Sequence, residues 1–197
     1  MAPAEQDRPD VAEQRERWRK MAPTLDANHL VFIDETGTKT NMTRRYGRSP
    51  VGRRVGEHVP TSRWHSTTLL AAVRADGPQA PLLLEGATDA DVFTAWIEQF
   101  LVPTLRPDDV VVMDNLSSHK AAAVRPLIET RGASLEYLPA YSPDLNPIEK
   151  MWSKVKALLR GAKARTQAAL EQAVACALDA VTHADIQGWF RSCGYTI

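Results

Sequence analysis

The sequence predicts an α/β fold, a mixed five-stranded sheet with helices on both faces. Three observations carry this. The runs His29-Leu-Val-Phe-Ile-Asp34 and Val110-Val-Val-Met-Asp114 are apolar without alternation, so they read as strands covered on both sides, each closing in an acid. Segments with apolar residues at helical spacing alternate with such runs, which places helices over the sheet. Between Trp64 and Leu84, a looser alternation around the turn Asp76-Gly77-Pro78 adds an antiparallel pair.

In chain order, residues 1–27 are polar and punctuated by Pro3, Pro9 and Pro23, with a charged helical candidate at Val11–Met21. They lack the apolar periodicity for a core of their own and read as a linker or arm, with the domain proper spanning residues 28–197. The strand ending at Asp34 meets turn chemistry in Glu35-Thr-Gly37, followed by a loop with Gly47, Pro50, Gly52 and Gly56. Strands follow at Trp64–Val73 and Ala80–Leu84. Thr88 or Asp89 can cap a helix over Ala90–Leu101, whose Val92, Phe93, Trp96, Ile97, Phe100 and Leu101 share one face. After the strand ending at Asp114, Ser117 or Ser118 can cap a helix running to about Thr130, with Gly132 as its stop. Ser134–Leu138 is a short strand.

Pro139, Pro143 and Pro147 then hold a loop extended, because each fixes its own φ and restricts the residue before it. Asn146 is a good N-cap, Pro147 suits the first helical position, and Glu149 falls in the first turn. On this helix Ile148, Met151, Trp152, Val155, Leu158 and Leu159 form one stripe, while Glu149, Ser153, Lys156 and Arg160 run along its edge. Lys150 and Lys154 point elsewhere, toward solvent. Beyond Arg160-Gly161, a helix covers Gln167–Val181, and a last one begins at Asp185 with Ile186, Trp189 and Phe190 apolar.

A hydrophobic share of 44% and a charged share of 24% describe an ordinary soluble domain. No apolar run reaches the roughly 18 residues of a membrane span, and Met1–Lys20 is too charged for a secretory signal. Cys176 and Cys193 show no metal-ligand spacing and read as reduced core residues of an intracellular protein. Net charge is zero but unevenly spread: Lys39–Arg54 and Lys150–Arg165 each hold six cations and no acid, half of the chain's 24. Two basic segments on an otherwise acidic chain fit contacts with a polyanion such as DNA, although a solvated helix face or loop gives the same pattern.

Asp34 and Asp114 close buried strands at the carboxyl end, where ligands gather in open α/β sheets. If the strands are neighbours, the acids lie side by side and the proline-stiffened loop can bring Glu149 to them. Three clustered carboxylates repel unless a cation sits among them, and oxygen-only ligands suit Mg²⁺ or Mn²⁺. A pair of such ions can support phosphodiester chemistry. The plainer reading of Glu149 stays open, since Asn146 and Glu149 also have the spacing of a capping box.

Tyr141-Ser-Pro-Asp-Leu-Asn-Pro-Ile-Glu149, with Trp152, resembles the third-acid motif of mariner-type transposases and their bacterial insertion-sequence relatives. Val111-Val-Met-Asp114-Asn115, closing in Ser118-His119, is similar to the second-acid motif, and Phe32-Ile-Asp34-Glu35 to the first. The 34 residues between Asp114 and Glu149 match the Asp-Asp-Glu branch, and Trp189-Phe-Arg-Ser-Cys-Gly-Tyr195 is similar to the C-terminal end of its bacterial members. The resemblance runs from about Asn28 to the C-terminus. It implies a ribonuclease-H-like fold, with Asp34, Asp114 and Glu149 as catalytic metal ligands for Mg²⁺, which Mn²⁺ can replace, and two ions in the site. It also implies cutting of double-stranded DNA at element ends and joining of the freed 3′ hydroxyl to target, by a homodimer in the bacterial cytoplasm on the nucleoid.

Asn115 and His119 would support the metal ligands or touch DNA. Arg44, Arg45, Arg48, Arg53, Arg54, Lys156 and Arg160 would contact the DNA backbone. Glu35 points away from Asp34 on the strand and reads as structural. About 27 residues before the domain are too few for the helix-turn-helix modules the resemblance implies, so end-specific binding by this chain alone is not expected. A catalytically silent DNA-binding remnant and an RNA–DNA hybrid or structure-selective nuclease are the competing readings.

Overall fold

A computed structural model of the chain describes residues 4–44, 46–56, 58, 64–115 and 122–197. Its centre is β1 (Leu30–Lys39), flanked on one side by β2 (Ser66–Arg74) and β3 (Gly77–Glu85) and on the other by β4 (Val110–Met113) and β5 (Ser134–Tyr137). The order is β3-β2-β1-β4-β5; β1, β4 and β5 run parallel, while β2 is antiparallel to both β1 and β3. This is the mixed five-stranded sheet the apolar runs predict.

One expectation fails here. Glu35-Thr-Gly37 is not a turn, because β1 continues through it to pair Lys39 with Ser66. Thr36 and Thr38 are buried, and the Thr38 and Thr67 hydroxyls meet at 2.6 Å across the strands. Branched side chains against a neighbouring strand outweigh a lone glycine.

Strand alternation divides the core. Leu30, Phe32, Leu69, Ala71, Val73 and Val112 face α4 (Pro147–Ala162), α5 (Gln167–Asp179) and α6 (His183–Ser192). Val31, Ile33, Leu70, Ala72, Val111, Met113 and Leu135 face α2 (Ala90–Trp96) and α3 (Val124–Glu129). Helices therefore cover both faces. Asp89 caps α2 by accepting from the Val92 amide at 2.9 Å, and the helix then widens into a π turn over Ile97–Leu101. Val92 and Phe100, assigned to the buried face from sequence, are exposed; Phe100 lies in the π turn, which rotates it out of helical register. The Ser117 or Ser118 cap lies outside the described residues; the described part of that helix is Val124–Glu129.

α4 passes through Gly161 and ends only at Lys163, whose left-handed backbone (φ 53°) caps it. Thr166 caps α5, and Thr182 with Asp185 forms a capping box that starts α6 two residues earlier than the sequence suggests. Gly194, at φ 93°, turns the chain so that the Tyr195 amide reaches the Phe190 carbonyl at 3.0 Å, which buries Tyr195 against Phe32 and Phe190. Cys193 is buried, but Cys176 is exposed on α5, contrary to its reading as a core residue.

Ahead of the sheet, α1 (Pro9–Met21) buries Val11, Arg15 and Trp18, and Trp18 joins the core under α4. No helix among the described residues is long and apolar enough to cross a membrane.

Candidate active site

β1 and β4 pair Leu30 with Val110 and Phe32 with Val112. Continuing that register past its last pair, and one residue beyond the end of β4, sets Asp114 opposite Asp34 of β1. Alternation places both on the face that carries Leu30, Phe32 and Val112, the face covered by α4. α4 brings the third acid. Asp34, Asp114, Asn115 and Glu149 line one cavity of about 460 Å³, completed by residues 138–143 and Asn146.

Asp34 is buried and held. Its Oδ1 accepts from the Glu35 amide at 2.8 Å and its Oδ2 from the Trp152 indole Nε1 at 3.2 Å. Trp152 reads from sequence as a core residue; it is buried, and it also orients the first acid. Its place one turn after Glu149, at the α4 end nearest the sheet, is the signal that could have shown this. Asp114 is half-buried. Glu149 stands at the cavity rim, where partial loss of hydration raises its pKa, Lys156 pulls it back down, and Asp114 pushes it up. The wheel prediction that Lys156 shares the edge of Glu149 thus has an electrostatic consequence. Leu158, assigned to the buried stripe, is exposed instead.

Asn146 does not cap α4 with its side chain; it is buried against the cavity with Oδ1 unpartnered. The preceding loop is not extended throughout, because Pro143–Leu145 forms a 3₁₀ turn and Tyr141 adopts φ 56°. Contacts from outside hold it. The Arg15 guanidinium donates to both carboxylate oxygens of Asp144 at 2.9 and 2.8 Å and to the Ser142 hydroxyl at 2.7 Å. The Tyr195 hydroxyl accepts from the Trp18 indole and donates to the Leu145 carbonyl, both at 2.9 Å. Nothing in the sequence pattern marks Arg15 for this task.

The side chains lining the cavity include three carboxylates and the amides of Asn115 and Asn146, oxygen donors suited to a hard divalent cation. Glu149 and Asp114 are close enough to act on each other's charge, and among the described residues no three His, Cys, Asp or Glu side chains stand grouped as a ready metal cage.

The basic segments converge at the far end of α4. Arg44 packs its guanidinium against Gly161, 3.4 Å from where a Cβ would stand, and Arg165 donates to the carbonyls of Thr40 and Met42 at 3.0 Å. Arg165 therefore ties the base of the loop. Arg44, Arg48, Arg53 and Arg54 are exposed, and Lys156 and Arg160 half-buried. Arg45 and His119 lie outside the described residues. Lys154, read as a solvent residue, instead pairs with Asp185 of the α6 capping box.

Comparison with known proteins agrees with this architecture. The Tcb1 transposase of Caenorhabditis briggsae is 30% identical over 169 residues, 80% of this chain and 60% of that protein. The mariner Mos1 paired end complex with Mg superposes with a TM-score of 0.74 at 19% identity, over 98% of this chain and 62% of that one. The catalytic domain of Mos1 mariner transposase superposes at 0.66 and 17% identity, over 98% of this chain and 93% of that one. The sheet order and these neighbours give a ribonuclease-H-like fold, and the chain spans about three fifths of the length of the curated relative. With residues 29–171 matching the family described as DDE superfamily endonuclease, the chain belongs to that family.

Proposed function

We propose that this chain is the catalytic domain of a transposase, cutting DNA strands at the ends of a mobile element and joining the freed 3′ hydroxyl to target DNA. The observation that carries the reading is that Asp34 of β1 and Asp114, just past the end of the adjacent parallel β4, line the same cavity as Glu149 of α4. These three side chains would hold Mg²⁺, or Mn²⁺ in its place, as a pair of ions. When bound, such ions supply activation of an attacking hydroxyl and stabilisation of the leaving oxygen.

The chain's own residues do the rest. Trp152 and the Glu35 amide fix the Asp34 carboxylate in one orientation. Lys156, close enough to lower the Glu149 pKa, offers a cation to phosphate oxygens leaving the site, with Arg160 one turn further along α4. Exposed Arg44, Arg48, Arg53 and Arg54 continue the positive path for the duplex backbone, and Asn115, next to the second acid, supports the metal ligands or touches DNA. Two copies of the chain would hold paired ends, in the bacterial cytoplasm on nucleoid DNA, and residues 1–27 would lead into the domain as an arm whose α1 packs back onto it. Support comes from the name of the nematode relative and from neighbours described as paired-end and strand-transfer complexes, some with Mg or Mn.

The test uses purified protein with a pre-nicked duplex carrying an element end, in Mg²⁺ or Mn²⁺. Metal-dependent nicking and joining is expected, abolished by Asp114→Ala or Glu149→Ala. Cutting that survives both substitutions sinks the reading. The competing reading is DNA binding without turnover, which the exposed cations Arg44, Arg48, Arg53 and Arg54 would serve equally well. Salt-dependent binding with no cutting in either metal would establish it.

A further inference from the structure

α1 lies ahead of the residues matched to the family, yet its polar contacts beyond its own segment fall on the loop that borders the cavity and on Tyr195, which reaches that loop. Arg15 is 4% exposed, a depth at which a guanidinium must be fully paired, and its partners are Ser142, Asp144 and the Tyr141 carbonyl. Gln6 donates to the same Tyr141 carbonyl at 2.6 Å. Arg19 stands 3.7 Å from Asp144, and Trp18 reaches the Leu145 carbonyl through Tyr195. Tyr141 itself holds a left-handed backbone that non-glycine residues keep only when their surroundings enforce it. Three loop residues, 141, 142 and 144, are thus anchored directly from α1, and a fourth, 145, through Tyr195, immediately before Asn146 and the first turn of α4.

We infer that α1 is a strut for the active site and that Arg15 is its positioning residue, fixing the Tyr141–Leu145 loop so that Glu149 stands where a divalent cation can join it to Asp34 and Asp114. The inference rests on the metal-dependent reading above. Arg15 touches no reacting atom; it acts through the loop. A planar guanidinium with a bidentate carboxylate fixes both distance and angle, whereas a single ammonium fixes neither. Displacing the loop keeps all three acids in the sequence but moves Glu149 relative to Asp34 and Asp114. A carboxylate misplaced by an ångström weakens both ion capture and chemistry.

The experiment compares the full chain with Arg15→Ala, Arg15→Lys, Asp144→Asn and, as a control on the exposed side of α1, Arg17→Ala. Mn²⁺ affinity is read by calorimetric titration, nicking of the pre-nicked duplex by gel, and folding by thermal melt. Arg15→Ala and Asp144→Asn are expected to weaken Mn²⁺ binding roughly 10- to 100-fold, with nicking falling in parallel and partly recovered at saturating Mn²⁺. Arg15→Lys should fall between these and the wild type, and Arg17→Ala should match the wild type. If Arg15→Ala does not fold, Arg15→Lys and Asp144→Asn decide. Folded variants whose Mn²⁺ affinity stays within about twofold of wild type overturn the strut. A wild-type chain that binds no Mn²⁺ removes the underlying reading and this one with it; a wild type that binds and cuts, beside variants that do the same, removes only this one.

Discussion

Glu149 sits in an electrostatic conflict that the metal-free protein must bear. Lost hydration and the nearby Asp114 disfavour its ionised form, and Lys156 only partly offsets them. A carboxyl whose folded pKa is raised binds its proton more tightly in the folded state. Its penalty is therefore absent below the ordinary value of 4.5, grows as pH rises through the raised pKa, and is fully present above it. Glu149→Gln should accordingly raise the melting temperature of the metal-free protein at pH 7–8 by about 1–2 °C, the gap closing toward pH 4. An equal gap at both pH values would show that the charge is irrelevant. At this scale the sequence is informative where chemistry and geometry coincide. Asp34 and Asp114 each end an unbroken apolar run, so their position follows from strand geometry. Asn146 was legible as a cap by residue type, yet its amide turns into the cavity, because a choice between two local partners depends on packing that spacing does not encode. Arg15 was opaque for the same reason: its partners lie more than a hundred residues away.

The continuous apolar runs marked where β1 begins and the whole of β4, and α4 was equally legible, since its stripe of Ile148, Met151, Trp152, Val155 and Leu159 is buried as its periodicity requires. The errors fall where tertiary contact overrides a local signal: β1 runs through Gly37, α4 runs through Gly161, and α2 finishes as a π turn. The sheet also has a fastening that no periodicity announces. At the end opposite the cavity, Arg74 of β2 forms a bidentate pair with Asp109 just before β4, at 2.6 and 2.9 Å, with both side chains almost fully buried. The pair spans β1 from its two sides and fixes how far β4 slides along it, and hence whether Asp114 comes level with Asp34. Arg74→Ala leaves Asp109 buried without its partner and should destabilise the domain by about 3–5 kcal/mol in denaturant titration. A loss under about 1 kcal/mol would mean that water or Arg106, whose amide also reaches Asp109, replaces it.

For the molecule as a whole, a net charge of zero conceals a separation of charge. The fold gathers two basic segments distant in sequence, because Arg44 lies on Gly161 and Arg165 holds the carbonyls of Thr40 and Met42. Replacing Arg48, Arg53 and Arg54 together by Ala should weaken duplex binding at all sequences alike and flatten the dependence of log K on log salt by up to about 0.9 per lost phosphate contact. Stability should hardly change, since all three are exposed. An unaltered salt slope would place the duplex elsewhere.

The two cysteines differ sharply in accessibility. Cys193 is walled in, and burial pushes its thiol up to about 11, so it carries almost no thiolate at neutral pH. Cys176 faces water from α5, on the helix layer that backs α4 and away from the acids. The natural chain therefore carries its own single attachment point: a maleimide dye or spin label would go on at one position without any engineered mutation, and distances measured from it would report how copies of the chain arrange themselves around DNA.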